Sequence, residues 1–116
     1  KILKLNNTTS IGEKLSGWIK ACSLEQVKKG ELFGFVQDGR KLLIANIDGT
    51  IHATDLICTH ADADLSTGFL SEEGVRCPLH LSVFNLVNGK PNNLPAETAL
   101  KVYPVKVDND EIFVEV

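Results

Sequence analysis

The sequence is poor in the features that define several protein classes. It has only three cysteines in 116 residues, an odd and low number that argues against a secreted disulfide scaffold and favours a reducing cytoplasm. No apolar run approaches the roughly 18 residues that span a bilayer. Basic residues are also scarce, since 12 Lys and Arg face 15 Asp and Glu for a formal net charge of −3. We therefore expect neither nucleic acid nor membrane as a partner, and any charged protein partner should present a basic face.

Short β-type runs, separated by turn dipeptides, make up most of the chain. Asp38-Gly39, Asp48-Gly49 and Asn88-Gly89 are typical of tight hairpins. The predicted strands are Trp18–Cys22, Leu32–Val36, Lys41–Ile47, Ile51–Asp55, Val83–Leu86, Leu100–Val107 and Glu111–Val116. Pro104, inside one of them, indicates an edge position or a bulge. The pattern predicts an all-β fold, a small antiparallel sandwich or barrel.

One short helix is also predicted. Ser23 followed by Gln26 fits a capping box, and the stretch Lys28-Lys29-Gly30 would end the helix. The chain length suits a single domain. We expect residues 1–16 to form a loosely ordered N-terminal arm, and residues 17–116 to form one domain. Residues 55–95 are dense in Cys, His, Gly, Pro and Asn, so we expect the functional site in loops of this region.

Two short motifs in this region pair a thiol with an imidazole. Cys58-Thr59-His60 is followed, after sixteen residues, by Cys77-Pro78-Leu79-His80. Four such ligands can hold one zinc ion or a [2Fe–2S] cluster, and spacing alone does not separate the two. Cys₂His₂ zinc sites usually take both cysteines from one loop. Here each loop supplies one of each, as a cluster with one all-Cys iron and one all-His iron requires.

At this spacing the two motifs resemble the cluster loops of Rieske proteins, in particular the ferredoxins of bacterial aromatic-ring dioxygenase systems. Further stretches that resemble this family are Trp18–Ser23, Phe84–Leu86, Asn88–Pro91 and Ala99–Val107. The resemblance implies a Rieske fold with a subdomain of two cluster-binding loops and one [2Fe–2S] cluster per chain. It also implies that Cys58 and Cys77 hold the inner iron, and that His60 and His80 hold the outer iron near the surface.

The resemblance is closest to the low-potential branch of the family. Rieske proteins of quinol-oxidising complexes carry a disulfide between the two loops, but here the corresponding positions are Ala63 and Leu79. Phe84 stands where high-potential members often have tyrosine, and it has no hydroxyl. Ser82 matches a position whose hydroxyl donates to a bridging sulfide, so we add it to the cofactor-binding residues. Few donors to sulfur imply a low reduction potential.

The resemblance implies a soluble one-electron carrier rather than an enzyme. It would take electrons from a flavoprotein ferredoxin reductase and pass them to a terminal Rieske oxygenase, and we expect a cytoplasmic monomer. Two alternatives stay open, a Rieske subunit of a larger redox enzyme and a zinc-stapled interaction module. A self-contained oxygenase is disfavoured, because it needs a further iron site and His60 and His80 leave only His52. We see no catalytic nucleophile–base pair.

Two residues are set aside from the site. Cys22 has no ligand at short range, and we expect a buried structural cysteine. His52 lies in a predicted strand, and because four ligands are already present we expect a structural or surface role.

Overall fold

The computed structural model describes residues 17–59, 62–79 and 82–116, where ten β-strands form three antiparallel sheets. His60, His80 and the predicted arm over residues 1–16 lie outside the described residues. The strands are β1 Trp18–Ser23, β2 Leu32–Gln37, β3 Arg40–Ile47, β4 Thr50–Asp55, β5 Phe69–Ser71, β6 Gly74–Arg76, β7 Val83–Phe84, β8 Val102–Tyr103, β9 Val105–Asp108 and β10 Glu111–Glu115. In this part of the chain no helix is long and apolar enough to cross a membrane.

The sheets have the strand orders β1-β10-β9, β2-β3-β4-β8 and β5-β6-β7. Two of the predicted turns join strands of the four-stranded sheet. Asp38 and Gly39 link β2 to β3 with φ angles of 53° and 79°, and Asp48 and Gly49 link β3 to β4 with 53° and 96°. Positive φ at both positions is the geometry of the two-residue hairpin turn, whose twist matches that of the strands. The prediction of an antiparallel all-β fold is confirmed.

Strand β3 is buried on both faces and divides the interior into two apolar clusters. Leu42 and Ile44 point to one face, where they pack with β1 and β10 residues such as Ile112. Leu43 and Ala45 point to the other face, where they contact the region of the two cysteine loops. Side chains alternate between the faces of a strand, so an unbroken apolar run serves two cores at once. The loop region therefore rests on the central strand of the main sheet.

Two sequence predictions need correction, and two strands were not predicted. The predicted strand Leu100–Val107 is two short strands in different sheets, because Pro104 cannot donate to a ladder and separates β8 from β9. The predicted helix is a single 3₁₀ turn, Leu24–Gln26, although the capping box of Ser23 and Gln26 is present. Strands β5 and β6 were not predicted, since three-residue strands leave little periodicity to detect.

A tyrosine–carboxylate hydrogen bond fastens β8 to the end of β4, three residues before Cys58. The Tyr103 hydroxyl donates to Asp55 Oδ1 over 2.6 Å, and the Asp55 amide donates to the Lys101 carbonyl over 3.0 Å. Partial burial, followed by the bond to the Asp55 carboxylate and its charge, raises the pKa of Tyr103 to about 12. Desolvation and a neighbouring negative charge both favour the neutral phenol.

We expect Tyr103→Phe to destabilise the fold by about 1 kcal/mol at neutral pH, the typical value of one hydrogen bond. The folded-state pKa lies above the value of about 10 in the unfolded chain. The bond's contribution is therefore complete below about pH 10, and it is lost as the pH rises through about 12. Denaturant titrations of both proteins should show their stability difference shrinking over this window. A difference that stays constant to pH 12 would contradict the assignment.

Candidate metal centre

Each cysteine motif begins a short loop that a backbone hydrogen bond closes. The Cys58 amide donates to the Ala63 carbonyl over 2.9 Å, and the Cys77 amide donates to the Ser82 carbonyl over 2.8 Å. Backbone pairing continues on the residues that flank each closed loop. Ile57 and Asp64 form a β-bridge beside the first loop, and β6 pairs with β7 beside the second. The two loops therefore start from paired backbone, and each cysteine stands at the same position of its loop. This repeated geometry presents two thiols from a rigid base.

The two thiols share one apolar cluster. Cys58 is 4% exposed and Cys77 is fully buried, and both belong to the cluster that contains Leu56, Leu65 and Phe84. Thiolates are the preferred ligands of iron–sulfur clusters, and an apolar surrounding excludes water from them. None of the three cysteines forms a disulfide. In the described part of the chain no three Cys, His, Asp or Glu side chains form a metal site, and both candidate histidines lie outside it.

Close backbone contact holds the segment after the first loop against the strand that leads to the second. A Cβ atom added to Gly68 would overlap the carbonyl oxygen of Arg76, the residue before Cys77. Only glycine allows this approach, since any other residue would push β6 away. Asp64 supports the same segment, because its side chain accepts the Ser66 amide at 2.8 Å and caps the 3₁₀ turn Leu65–Thr67.

Residues 92–98, which we call the strap, contact both loops. At the second loop the Val83 amide donates to Asn93 Oδ1 over 2.8 Å, and the Ala96 amide donates to Ser82 Oγ over 2.9 Å. At the first loop, Thr59 Oγ1 donates to the Thr98 carbonyl over 2.7 Å. The strap therefore links the two loops through hydrogen bonds. The strap was not predicted, because the run Asn-Asn-Leu-Pro-Ala-Glu-Thr has no strand or helix signal.

The geometry of Ser82 fits the role predicted for its hydroxyl. The residue is fully buried, and its Oγ accepts the Ala96 amide. A hydroxyl that accepts through its oxygen retains one hydrogen to donate. A buried donor at the closure of the second cysteine loop suits a sulfide-containing cofactor, since buried polar groups require partners. Phe84 is fully buried and offers no hydroxyl, whereas Leu79 is 66% exposed in the second loop.

Cys22 and His52, the two residues that were set aside, belong to neither loop. Cys22 is 3% exposed in the cluster between β1, β10 and the main sheet, and burial raises the pKa of its thiol to about 11. It is therefore a protonated structural thiol, as predicted. Burial lowers the pKa of His52, and a hydrogen bond with the Leu86 backbone opposes that shift. His52 accordingly links β4 to the segment after β7, which is a structural role.

Comparison with known proteins identifies the family. The Rieske [2Fe–2S] domain matches residues 17–104 of this chain. The chain belongs to the Rieske family. Two similar relatives of this Rieske chain are the ferredoxin component of a naphthalene 1,2-dioxygenase system from Pseudomonas putida and the biphenyl dioxygenase ferredoxin subunit from Pseudomonas sp. strain KKS102. The first is 35% identical over 98 residues, 84% of this chain and 94% of that one. The second is 37% identical over 97 residues, 83% and 89% of the two chains.

A solved structure supports the same relationship for this Rieske chain. It is the complex of reduced oxygenase and oxidised ferredoxin in carbazole 1,9a-dioxygenase. The matching chain has a TM-score of 0.81 and 30% identity, with coverage of 86% of this chain and 94% of that one. The predicted family, fold, [2Fe–2S] cofactor and electron-transfer class are confirmed. The ligand residues stay a prediction, since the structure describes the cysteines and Ser82 but neither histidine.

Proposed function

We propose that this Rieske chain is a one-electron carrier that delivers electrons to a terminal oxygenase. The observation that carries the proposal is the pair of cysteine loops, whose thiols lie in one apolar cluster. We assign Cys58 and Cys77 as thiolate ligands, and His60 and His80 as imidazole ligands of the outer iron. When bound, the cluster supplies a centre that gains and loses one electron at a time.

The chain's own residues prepare this centre for rapid transfer. Leu56, Leu65 and Phe84 form an apolar bed that keeps water from the thiolates, so little solvent must reorganise when the charge changes. The Ser82 hydroxyl, which the Ala96 amide orients, provides a donor that stabilises added negative charge. Both loops are closed by backbone hydrogen bonds, and a fixed geometry serves a centre that must accept and release an electron without rearrangement.

Apolar side chains beside the loops form the proposed docking surface. Leu79, in the second loop, is 66% exposed, and Leu94, in the strap, is 70% exposed. Exposed apolar residues close to a functional centre are typical of protein interfaces. Residues 55–100 contain six carboxylates and two cations, so this region has a net charge of −4 while the rest of the chain sums to +1. Asp62 and Glu97 are among its exposed carboxylates. The matching partner surface is apolar with a basic rim.

A one-electron carrier needs two partners, one that donates the electron and one that accepts it. A reduced flavoprotein reductase gives one electron to the oxidised carrier, and the reduced carrier then gives that electron to the oxidised iron centre of a terminal oxygenase. Each cycle returns the carrier to its starting state. The oxygenase partner is supported by the oxygenase–ferredoxin complex of the structural relative, and the reductase by the multicomponent systems of the sequence relatives. A reducing cytoplasm is compatible with three cysteines outside any disulfide.

Stopped-flow mixing of the reduced protein with an oxidised terminal Rieske oxygenase tests this proposal. We expect one-electron oxidation whose rate falls as salt is raised from about 0.01 to 0.5 M, because opposite charges on the two faces steer their encounter. Leu79→Asp and Leu94→Asp should each slow the transfer at least roughly tenfold, the effect of losing an interface anchor. The visible spectrum should not change in Leu94→Asp, since that residue lies outside both loops.

Val107→Asp is the matched control. Val107 is 46% exposed and lies on β9, in the sheet β1-β10-β9, which contains none of the strands that border the two cysteine loops. A charge at this position should leave the transfer rate within about twofold of wild type. Equal slowing by all three variants would reject the docking surface. Failure of the reduced protein to transfer an electron to any terminal oxygenase would reject the carrier proposal itself.

A further inference from the structure

The hydroxyl of Thr59 links the first cysteine loop to the strap. Thr59 separates the two ligands proposed for the first loop, Cys58 and His60. Its Oγ1 donates to the Thr98 carbonyl over 2.7 Å, across 39 residues of sequence. Both threonines are exposed, so water could satisfy the Thr59 hydroxyl and the Thr98 carbonyl if the bond were absent. An exposed side chain that bonds to distant backbone restricts the segments that it joins.

The strap is already held at the second loop. The Asn92 amide donates to the Val83 carbonyl over 2.6 Å, the Val83 amide returns a bond to Asn93, and the Ala96 amide donates to Ser82 Oγ. Residues 92–96 are thus fixed relative to the residues that follow His80. The Thr59 bond then ties the first loop to this fixed segment.

We propose that Thr59 is a positioning residue that locks the first ligand loop to the second through the strap. The inference rests on the proposed function, because it concerns ligand loops of the same cluster. Its hydroxyl holds Thr59 at one point of the strap, so that the backbone between Cys58 and His60 keeps the spacing needed by a centre shared between two loops. Without this bond each loop is still closed by its own backbone, but the distance between the loops is less restricted. The cluster then loses iron more easily.

Three variants isolate the hydroxyl. Thr59→Val keeps the shape and removes the donor, and Thr59→Ser keeps the donor and removes the methyl group. Thr98→Ala removes the Thr98 side chain but keeps the backbone carbonyl that accepts the bond. We expect the half-life of the visible absorbance under excess iron chelator to fall roughly three- to tenfold in Thr59→Val, the factor that corresponds to one neutral hydrogen bond. Thr59→Ser and Thr98→Ala should stay within about twofold of wild type.

The EPR spectrum of the reduced protein gives a second readout, because it reports ligand geometry directly. We expect it to change in Thr59→Val and to return to the wild-type form in Thr59→Ser. Wild-type decay in Thr59→Val, or decay in Thr59→Ser as fast as in Thr59→Val, would overturn the inference. If Thr59→Val is purified without its cluster, retention in Thr59→Ser supports the inference and loss in Thr59→Ser rejects it. Iron and sulfide analysis of the wild type distinguishes a failure of the proposed function, which would leave no cluster in any of these proteins.

Discussion

Alanine at His60 or His80 is expected to abolish or rearrange the cluster, whereas alanine at His52 leaves the visible spectrum unchanged. The chain has only three histidines, so His52 is a matched control within the same protein. Loss of a proposed ligand removes a bond to iron and releases the loop that the ligand anchors. Loss of His52 removes a hydrogen bond with the Leu86 backbone, and this should lower stability without bleaching the protein.

Alanine substitution of the three cysteines tests the ligand assignment in the same way, with Cys22 as the control. Cys58→Ala and Cys77→Ala should yield colourless protein, because each removes a thiolate from the proposed all-Cys iron. Cys22→Ala should keep the full spectrum, since Cys22 belongs to the other apolar cluster and burial raises the pKa of its thiol to about 11. It should lower the free energy of unfolding by about 1 kcal/mol through the small cavity that it leaves. A protein bleached by His52→Ala or Cys22→Ala, but not by the proposed ligand variants, would refute the ligand assignment.

The midpoint potential should lie in the lower third of the range from about −150 to +300 mV that Rieske centres cover. No disulfide joins the loops, because all three cysteines are free, and the buried Phe84 ring has no hydroxyl to donate to sulfur. The negative charge of residues 55–100 further disfavours an added electron, although salt screens much of this effect. Redox titration at neutral pH measures the value, and a midpoint above about +150 mV would favour the quinol-oxidising type.

Ser82→Ala should lower this potential by roughly 40 mV, the one-electron equivalent of a hydrogen bond of about 1 kcal/mol that strengthens on reduction. The serine is fully buried and its oxygen is already occupied by the Ala96 amide, so its hydrogen is directed away from that amide. Ser66→Ala is the control, because Ser66 bonds to the Asp64 side chain in the capped turn. An unchanged potential in Ser82→Ala would remove Ser82 from the tuning residues.

Much of this architecture is predictable from local sequence signals. The two-residue turns after β2 and β3 require positive φ at both positions, and Asp-Gly tolerates this geometry better than most dipeptides, so these dipeptides indicate where the hairpins turn. The run from Leu42 to Ala45 is apolar throughout because β3 faces two cores. The two cysteine motifs are informative because mixed Cys/His loops have few other uses. Their two cysteines do converge in one apolar cluster.

The missed features depend on contacts between segments that are distant in sequence. Strands β5 and β6 have three residues each, and their pairing depends on the close approach of Gly68 to Arg76, which no local pattern encodes. The strap has no regular structure, and its hydrogen bonds to Thr59 and Ser82 are visible only in three dimensions. The interruption of the strand at Pro104 was predicted only in part. Proline indicates an edge or a bulge, but sequence alone does not tell that the chain changes sheets there.

The most direct test of the account is chemical analysis of the wild-type protein purified without oxygen. Colorimetric iron and acid-labile sulfide assays should find two iron and two sulfide per chain, because two thiolates and two imidazoles complete one [2Fe–2S] cluster. Stoichiometric titration with dithionite should then show uptake of one electron per chain. A colourless protein with one tightly bound zinc per chain, unable to take up an electron, would contradict the account and support a structural zinc site.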